Sequence, residues 1–237
     1  MKNEIFKMYN QIAIGKNDIC LKCKINEDLT LPLSIYHASE NFSNLSNTVM
    51  FVGKNAVGSP GKISEDSLFM DATDFGKESI DLLEEYATRR AFYSYSHEII
   101  KRHFGSYDMG KDYVALSNII KCNNKSTQDA TSYNMKNNCI NDLGVIWKEV
   151  EILNPKRIIF YTARHYDEFI KNYEPKGYTE IIDVVDVDAE CWMHRKYLDN
   201  NGIVIREILR TYHPERKNKE IFVNKICKWL EETKTNN

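Results

Sequence analysis

Thr48-Val49-Met50-Phe51-Val52 runs into Gly53-Lys54-Asn55-Ala56-Val57-Gly58-Ser59-Pro60-Gly61. A short apolar run without polar alternation reads as a strand buried on both faces. The glycines and the proline behind it end the strand in a loop. Tyr113–Ile120 and Arg157–Tyr161 read in the same way, the latter after Pro155. Ile203-Val204-Ile205 begins a further strand that leads to Thr211-Tyr212-His213-Pro214. Helical spacing fills the intervals: Ile5, Tyr9 and Ile12 within 4–14; a region across 76–104, broken near Arg89–Phe92; Ile140, Leu143, Trp147 and Val150; and Phe222, Ile226, Trp229 and Leu230. A short helix is expected after the Arg157–Tyr161 strand. Strands alternating with helices predict an α/β protein. The expected form is a three-layer sandwich, with a mostly parallel central sheet of about four strands and helices on both faces. In such sheets ligands bind beyond the carboxyl ends of the strands. The stretches Gly53–Gly58, Ser117–Cys122 and Tyr212–Arg216 all fall at such ends.

The chain of 237 residues suits one domain over 1–237, with the N-terminal cysteine segment packed onto it. Its composition, 42% hydrophobic and 28% charged, is that of a folded globule rather than a disordered chain. No apolar run reaches the roughly 18 residues of a membrane span. No long apolar stretch follows Lys2, which argues against a secretory signal. A cytoplasmic monomer without a membrane or protein partner is therefore expected. The net charge of −2 excludes a broadly basic nucleic-acid binder, so contact with a polyanion would need a local basic patch.

Cys20-Leu21-Lys22-Cys23 is a CxxC pair, Cys122 follows the Tyr113–Ile120 strand, and Cys139 opens the next helix. Disulfides are rare in the cytoplasm. Four thiolates can complete a tetrahedral zinc site or hold an iron–sulfur cluster. Ordinary burial is the alternative for Cys122 and Cys139. On spacing alone zinc is the default metal. Cys191 and Cys227 have no partner pattern.

The ordered set of motifs resembles the iron–sulfur branch of the uracil-DNA glycosylases, from about residue 5 to 230. It comprises the CxxC, the strand ending in Phe51-Val52-Gly53, and Leu116-Ser117-Asn118-Ile119-Ile120-Lys121-Cys122. Cys139, the Pro155–Ile159 strand and Tyr212-His213-Pro214 complete it. The resemblance implies a [4Fe–4S] cluster on Cys20, Cys23, Cys122 and Cys139, with zinc as the alternative. It also implies DNA as partner.

A DNA glycosylase takes a base out of the stack and hydrolyses its bond to the sugar. Negative charge develops on the departing base, and a positioned water is needed at the sugar. The resemblance makes His213 the donor to the base oxygen, a form of leaving-group stabilisation. Asn55 would hold the water. Related mismatch glycosylases carry Gly-x-Asn-Pro-Gly where this chain has Gly53-Lys54-Asn55-Ala56-Val57-Gly58, without the proline. Asn118 would read the pyrimidine edge, because an amide offers both a donor and an acceptor. Gly53 would floor the base site, and Phe69 would stack on the base. Arg216 and Lys217 would meet DNA, with Lys54, Lys121, Arg210 and Lys219 as further members of a basic patch. Bland alternatives are a capping His213, turn residues at Asn55 and Asn118, a core Phe69 and solvated charges.

Uracil is the default base. A hypermodified pyrimidine, such as glucosylated hydroxymethylcytosine in viral DNA, is the alternative. Two features favour it: the small residues of the Gly53–Gly61 loop and the long acidic stretch from Gly177 to Asn201, itself also readable as a surface excursion. A non-catalytic iron–sulfur or zinc nucleic-acid-binding protein is the rival of another class.

Overall fold

The computed structural model describes residues 1–26, 29, 37–39, 41–55, 83, 87–88, 90–123, 131–184 and 192–234. Among the described residues seven strands form one sheet. They are β1 (His37–Ala38), β2 (Val49–Gly53), β3 (Val114–Asn118), β4 (Arg157–Phe160), β5 (Glu180–Val184), β6 (Met193–Leu198) and β7 (Val204–Arg210). The spatial order is β1-β3-β2-β4-β7-β6-β5. The expected strands are β2, β3, β4 and β7, and they form a continuous parallel centre. Gly53 stands opposite Asn118, Val52 opposite Phe160, and Phe160 opposite Arg210. β1 adds antiparallel to β3, while β6 and β5 extend the other side antiparallel. The sheet is thus mixed and larger than expected.

The described helices are α1 (Lys2–Ile12), α2 (Asp18–Asn26), α3 (Ala91–Phe104), α4 (Tyr107–Gly110), α5 (Tyr133–Lys136), α6 (Val145–Leu153), α7 (Asp167–Lys171) and α8 (Lys219–Glu232). The alternation of each central strand decides what they cover. Met50, Val52, Ala115, Ile158, Phe160 and Ile208 point to one side, against Tyr9 of α1, Val150 of α6 and Phe169 of α7. Val49, Phe51, Leu116, Ile159, Tyr161 and Leu209 point to the other, against Ile99 of α3 and Ile226 of α8. β2, β3 and β4 are buried along their whole length, as strands of a doubly covered parallel sheet must be. None of the described helices is long and apolar enough to cross a membrane.

A polar knot lies within the first of these cores. Lys121 Nζ is 2.6 Å from Glu149 Oε1 and donates to Ser117 Oγ at 2.6 Å. Ser117 Oγ donates to Glu149 Oε2 at 2.8 Å, and the Tyr9 hydroxyl donates to Glu149 Oε1. All four residues are fully or almost fully buried. Burial of the two charges is tolerable only because each is paired and hydrogen-bonded. The knot joins α1, the end of β3 and α6.

Candidate active site and cysteine cavity

Gly53 and Asn118 close β2 and β3 side by side. The ladder continues beyond both strands: Ile119 N–H donates to Gly53 O and Ile120 N–H to Lys54 O, each at 2.9 Å. This pairing fixes the backbone that leads into Asn55. Asn55 and Asn118 are both buried, although each belongs to a strand end where polar side chains usually meet water. A Cβ at Gly53 would lie 2.5 Å from Asn118 Oδ1 and 3.3 Å from the ring of Phe92. Only glycine leaves room there for both side chains.

The amide of Asn55 is held in one sense. Its Nδ2 donates to Asn123 Oδ1 at 2.8 Å and to Thr131 Oγ1 at 3.0 Å. Its Oδ1 is buried and has no hydrogen-bond partner among the described residues. A buried acceptor left unmet costs about 1–3 kcal/mol, so this oxygen is suited to a donor from outside the chain.

β7 ends at Arg210, and the segment behind it carries Tyr212, His213 and Pro214. His213 is partly exposed. The Glu215 backbone N–H donates to His213 Nδ1 at 3.3 Å, while the Glu215 carboxylate stands 3.9 Å off, beyond hydrogen-bond range. With Nδ1 accepting from that N–H, Nε2 is the ring nitrogen left to donate. The Tyr95 hydroxyl donates to Lys217 O at 2.7 Å, which pins the loop to α3. Lys217 Nζ lies 4.1 Å over the Tyr212 ring. Arg216 is exposed and has φ of 62°, a left-handed conformation that costs an L-residue about 1–2 kcal/mol. With strands roughly 4.8 Å apart, the three strand spacings from β3 to β7 put Asn118 and the His213 segment on the order of 14 Å apart across the sheet edge.

Two members of the expected basic patch are elsewhere. Lys121 is buried in the polar knot. Arg210 is buried against Asp167, with Nε 2.6 Å from Oδ1 and Nη2 2.6 Å from Oδ2. Burial without a counter-ion would be prohibitive, so both are consumed by internal pairing. Arg216, Lys217 and Lys219 remain exposed on the β7–α8 loop and the start of α8. Phe69 and loop residues 56–61 lie outside the described residues, as do Asp186, Asp188, Glu190 and Cys191. The aromatic ring that is at Gly53 belongs to Phe92, which also meets Tyr161 edge-on at 5.7 Å. Phe92, Asn123 and Thr131 were not singled out by sequence. A cluster of aromatics at the start of α3, Phe92-Tyr93-Ser94-Tyr95, was the available signal for the first.

The four candidate ligand cysteines meet at a different place. Cys20, Cys23, Cys122 and Cys139 all line one partly open cavity, together with Ile120 and Leu143. Cys139 does not open a helix, as the sequence suggests. It sits inside a π-helical segment, Asn137–Asp142, a rare form of turn that is frequent at functional sites. Asn138 Nδ2 donates to Cys23 Sγ at 2.9 Å, and the Lys121 backbone N–H donates to the Cys139 sulfur. Burial raises the Cys139 thiol to about 11 and the Cys122 thiol well above its ordinary value; neighbouring thiols add to the latter. Burial also raises Cys20, against hydrogen bonds from Gly15 and Asn17. Among the described residues, no three His, Cys, Asp or Glu side chains converge closely enough to hold a single metal ion. A zinc ion with bonds of about 2.3 Å needs its sulfurs nearly in contact. Cys227 stands apart on α8.

No protein-family model matches the chain, and no curated protein matches it. The likeness to the iron–sulfur glycosylases therefore rests on the ordered motifs.

Proposed function

We propose that the protein is a monofunctional DNA glycosylase of the uracil-DNA glycosylase type, which releases a pyrimidine base, uracil by default, and leaves an abasic site. The observation that carries this reading is the buried Asn55 carbonyl, presented beside Asn118 at the carboxyl edge of the parallel strands, of which β7 leads to His213. Ligand sites of open α/β sheets form at that edge.

In the proposed reaction the bond between C1′ and the base nitrogen breaks, and its electron pair leaves with the base. His213 Nε2–H donates to the base oxygen on which negative charge grows. Water forms the new bond to C1′, and the proton it loses balances the charge on the departing base. Asn55 Oδ1 accepts one hydrogen bond from that water and so orients it, without acting as a strong base. Asn118 pairs with the pyrimidine edge, and the Phe92 ring supplies an aromatic face beside Gly53. Arg216, Lys217 and Lys219 contact the phosphate backbone.

The cysteine cavity fits an iron–sulfur cluster in its donor set: four cysteines, with N–H groups directed at the sulfurs of Cys23 and Cys139. When bound, such a cluster would cross-link α2, the end of β3 and the π-helical segment. Its contribution in this reading is structural.

Matched oligonucleotides test the reading. They carry uracil, thymine opposite guanine, 5-hydroxymethylcytosine or its glucosylated form, and alkaline cleavage reveals abasic sites. Cleavage at uracil is the expected result. Cleavage only at glucosylated cytosine would replace uracil by a modified base, in a role against modified viral DNA. DNA binding without any cleavage would favour a non-catalytic binder.

A further inference from the structure

The residue after a cysteine of the cavity reaches the candidate catalytic amide. Cys122 lines the cavity, and its neighbour Asn123 accepts from Asn55 Nδ2 at 2.8 Å, across 68 residues of sequence. Thr131, from the other end of the segment that joins β3 to α5, accepts from the same nitrogen at 3.0 Å. Asn123 is 1% exposed and Asn55 9%.

An asparagine amide has two nearly isosteric ends, and only hydrogen bonding decides which one faces a ligand. On the nitrogen side of Asn55, Asn123 Oδ1 can only accept, and the Thr131 hydroxyl accepts from the same nitrogen. If the amide turned over, its carbonyl oxygen would face Asn123 Oδ1, which has no proton to give; the Thr131 hydroxyl would have to turn and donate, and the NH₂ would occupy the place of the unmet acceptor. We infer that Asn123 and Thr131 are positioning residues that hold the Asn55 amide with Oδ1 presented to the substrate water, and that the Cys122–Asn123 step ties this alignment to the cysteine cavity. This inference rests on the glycosylase reading for its consequence, and on the hydrogen bonds alone for its geometry.

Two readouts keep these separable. The first is the side-chain amide signal of Asn55 in a ¹H–¹⁵N spectrum of the whole protein, assigned by its loss in Asn55→Ala. The second is single-turnover base release from a uracil oligonucleotide. Thr131→Val and Asn123→Leu remove one acceptor each at similar volume. Thr131→Ser and Asn123→Asp keep an acceptor.

The expected result is that Thr131→Val and Asn123→Leu shift the Asn55 amide signal and speed its hydrogen exchange. Base release should fall about ten- to a hundred-fold, the scale of a misplaced reacting group. Thr131→Ser should restore the signal and the rate, which a purely structural role would not require. Unchanged Asn55 signals in Thr131→Val and Asn123→Leu would overturn the inference. So would a wild-type rate of base release in variants whose Asn55 signal has moved. If wild-type protein releases no base while the amide signals respond as expected, the positioning geometry stands and the glycosylase reading falls.

Discussion

A methyl group on Gly53 would stand 2.5 Å from the side-chain oxygen of Asn118, far inside any contact a real Cβ makes. Gly53→Ala therefore has to push Asn118 or Phe92 aside. Overpacking of this kind costs about 1–3 kcal/mol. The larger effect is expected on substrate handling, because Asn118 is the candidate base reader. Base release should fall steeply in Gly53→Ala while its thermal midpoint drops modestly. Wild-type kinetics in a folded Gly53→Ala protein would show that Asn118 needs no such fit.

Asn118 itself gives a sharper test of readout. Asn118→Asp exchanges a donor for an acceptor at nearly constant shape. The expected outcome is a changed preference among pyrimidine bases, measured as ratios of single-turnover rates, rather than a uniform loss. Equal losses on every base would assign Asn118 to structure.

The polar knot predicts strong coupling in stability. Removing one partner of a buried ion pair typically costs about 3–5 kcal/mol, because the other charge is left unpaired. Lys121→Met and Glu149→Leu should each destabilise the protein on that scale in urea unfolding. The double variant should lose much less than the sum. Additive losses would contradict the pairing.

His103 sets an acid limit. Burial, the nearby Arg157 and Lys234 push its imidazole down to about 4, and the Glu231 carboxylate 2.8 Å away opposes the shift without overcoming it. Between pH 6.5 and 4 the unfolded chain then binds a proton that the folded chain does not. Stability is full above the unfolded value and falls as pH drops through this window, by at most about 3 kcal/mol. His103→Gln should flatten that limb of the stability–pH curve. A curve of unchanged slope would show that other groups dominate it.

The parallel centre was legible in sequence because strands buried on both faces must be apolar at every position, as Val49–Val52 and Ile158–Phe160 are. β5 and β6 were not. Met193-His194-Arg195-Lys196-Tyr197-Leu198 gains its place through pairing with β7 and through partners such as Asp183 and Glu207, not through a hydrophobic pattern. Asn55, Asn118 and His213 stand out in the sequence as candidates because turn and strand-end motifs carry them. Phe92, Asn123 and Thr131 meet Gly53 and Asn55 from places distant in sequence, which no local periodicity encodes. Lys121 misled for the same reason, since Glu149 lies 28 residues away.

The cysteine cavity predicts a metal content. A loaded cluster should give iron and sulfide near about four each per chain, with broad visible absorption bleached by dithionite. Cys20→Ser and Cys139→Ser should lower iron content and solubility together. Thiols raised by burial must lose their protons to become ligands, so loading should weaken as pH falls. Stoichiometric zinc without sulfide would exclude the cluster.

In the proposed reaction Asn55 and His213 carry base release at one site. The most direct measurement is single-turnover release of uracil by wild-type protein, Asn55→Ala and His213→Ala, with folding and DNA binding followed in parallel. Loss of one preorganised group should cost about 10²–10³ in rate while binding of the oligonucleotide persists. Wild-type rates in both variants would contradict the account, because the chemistry would then lie elsewhere in the molecule.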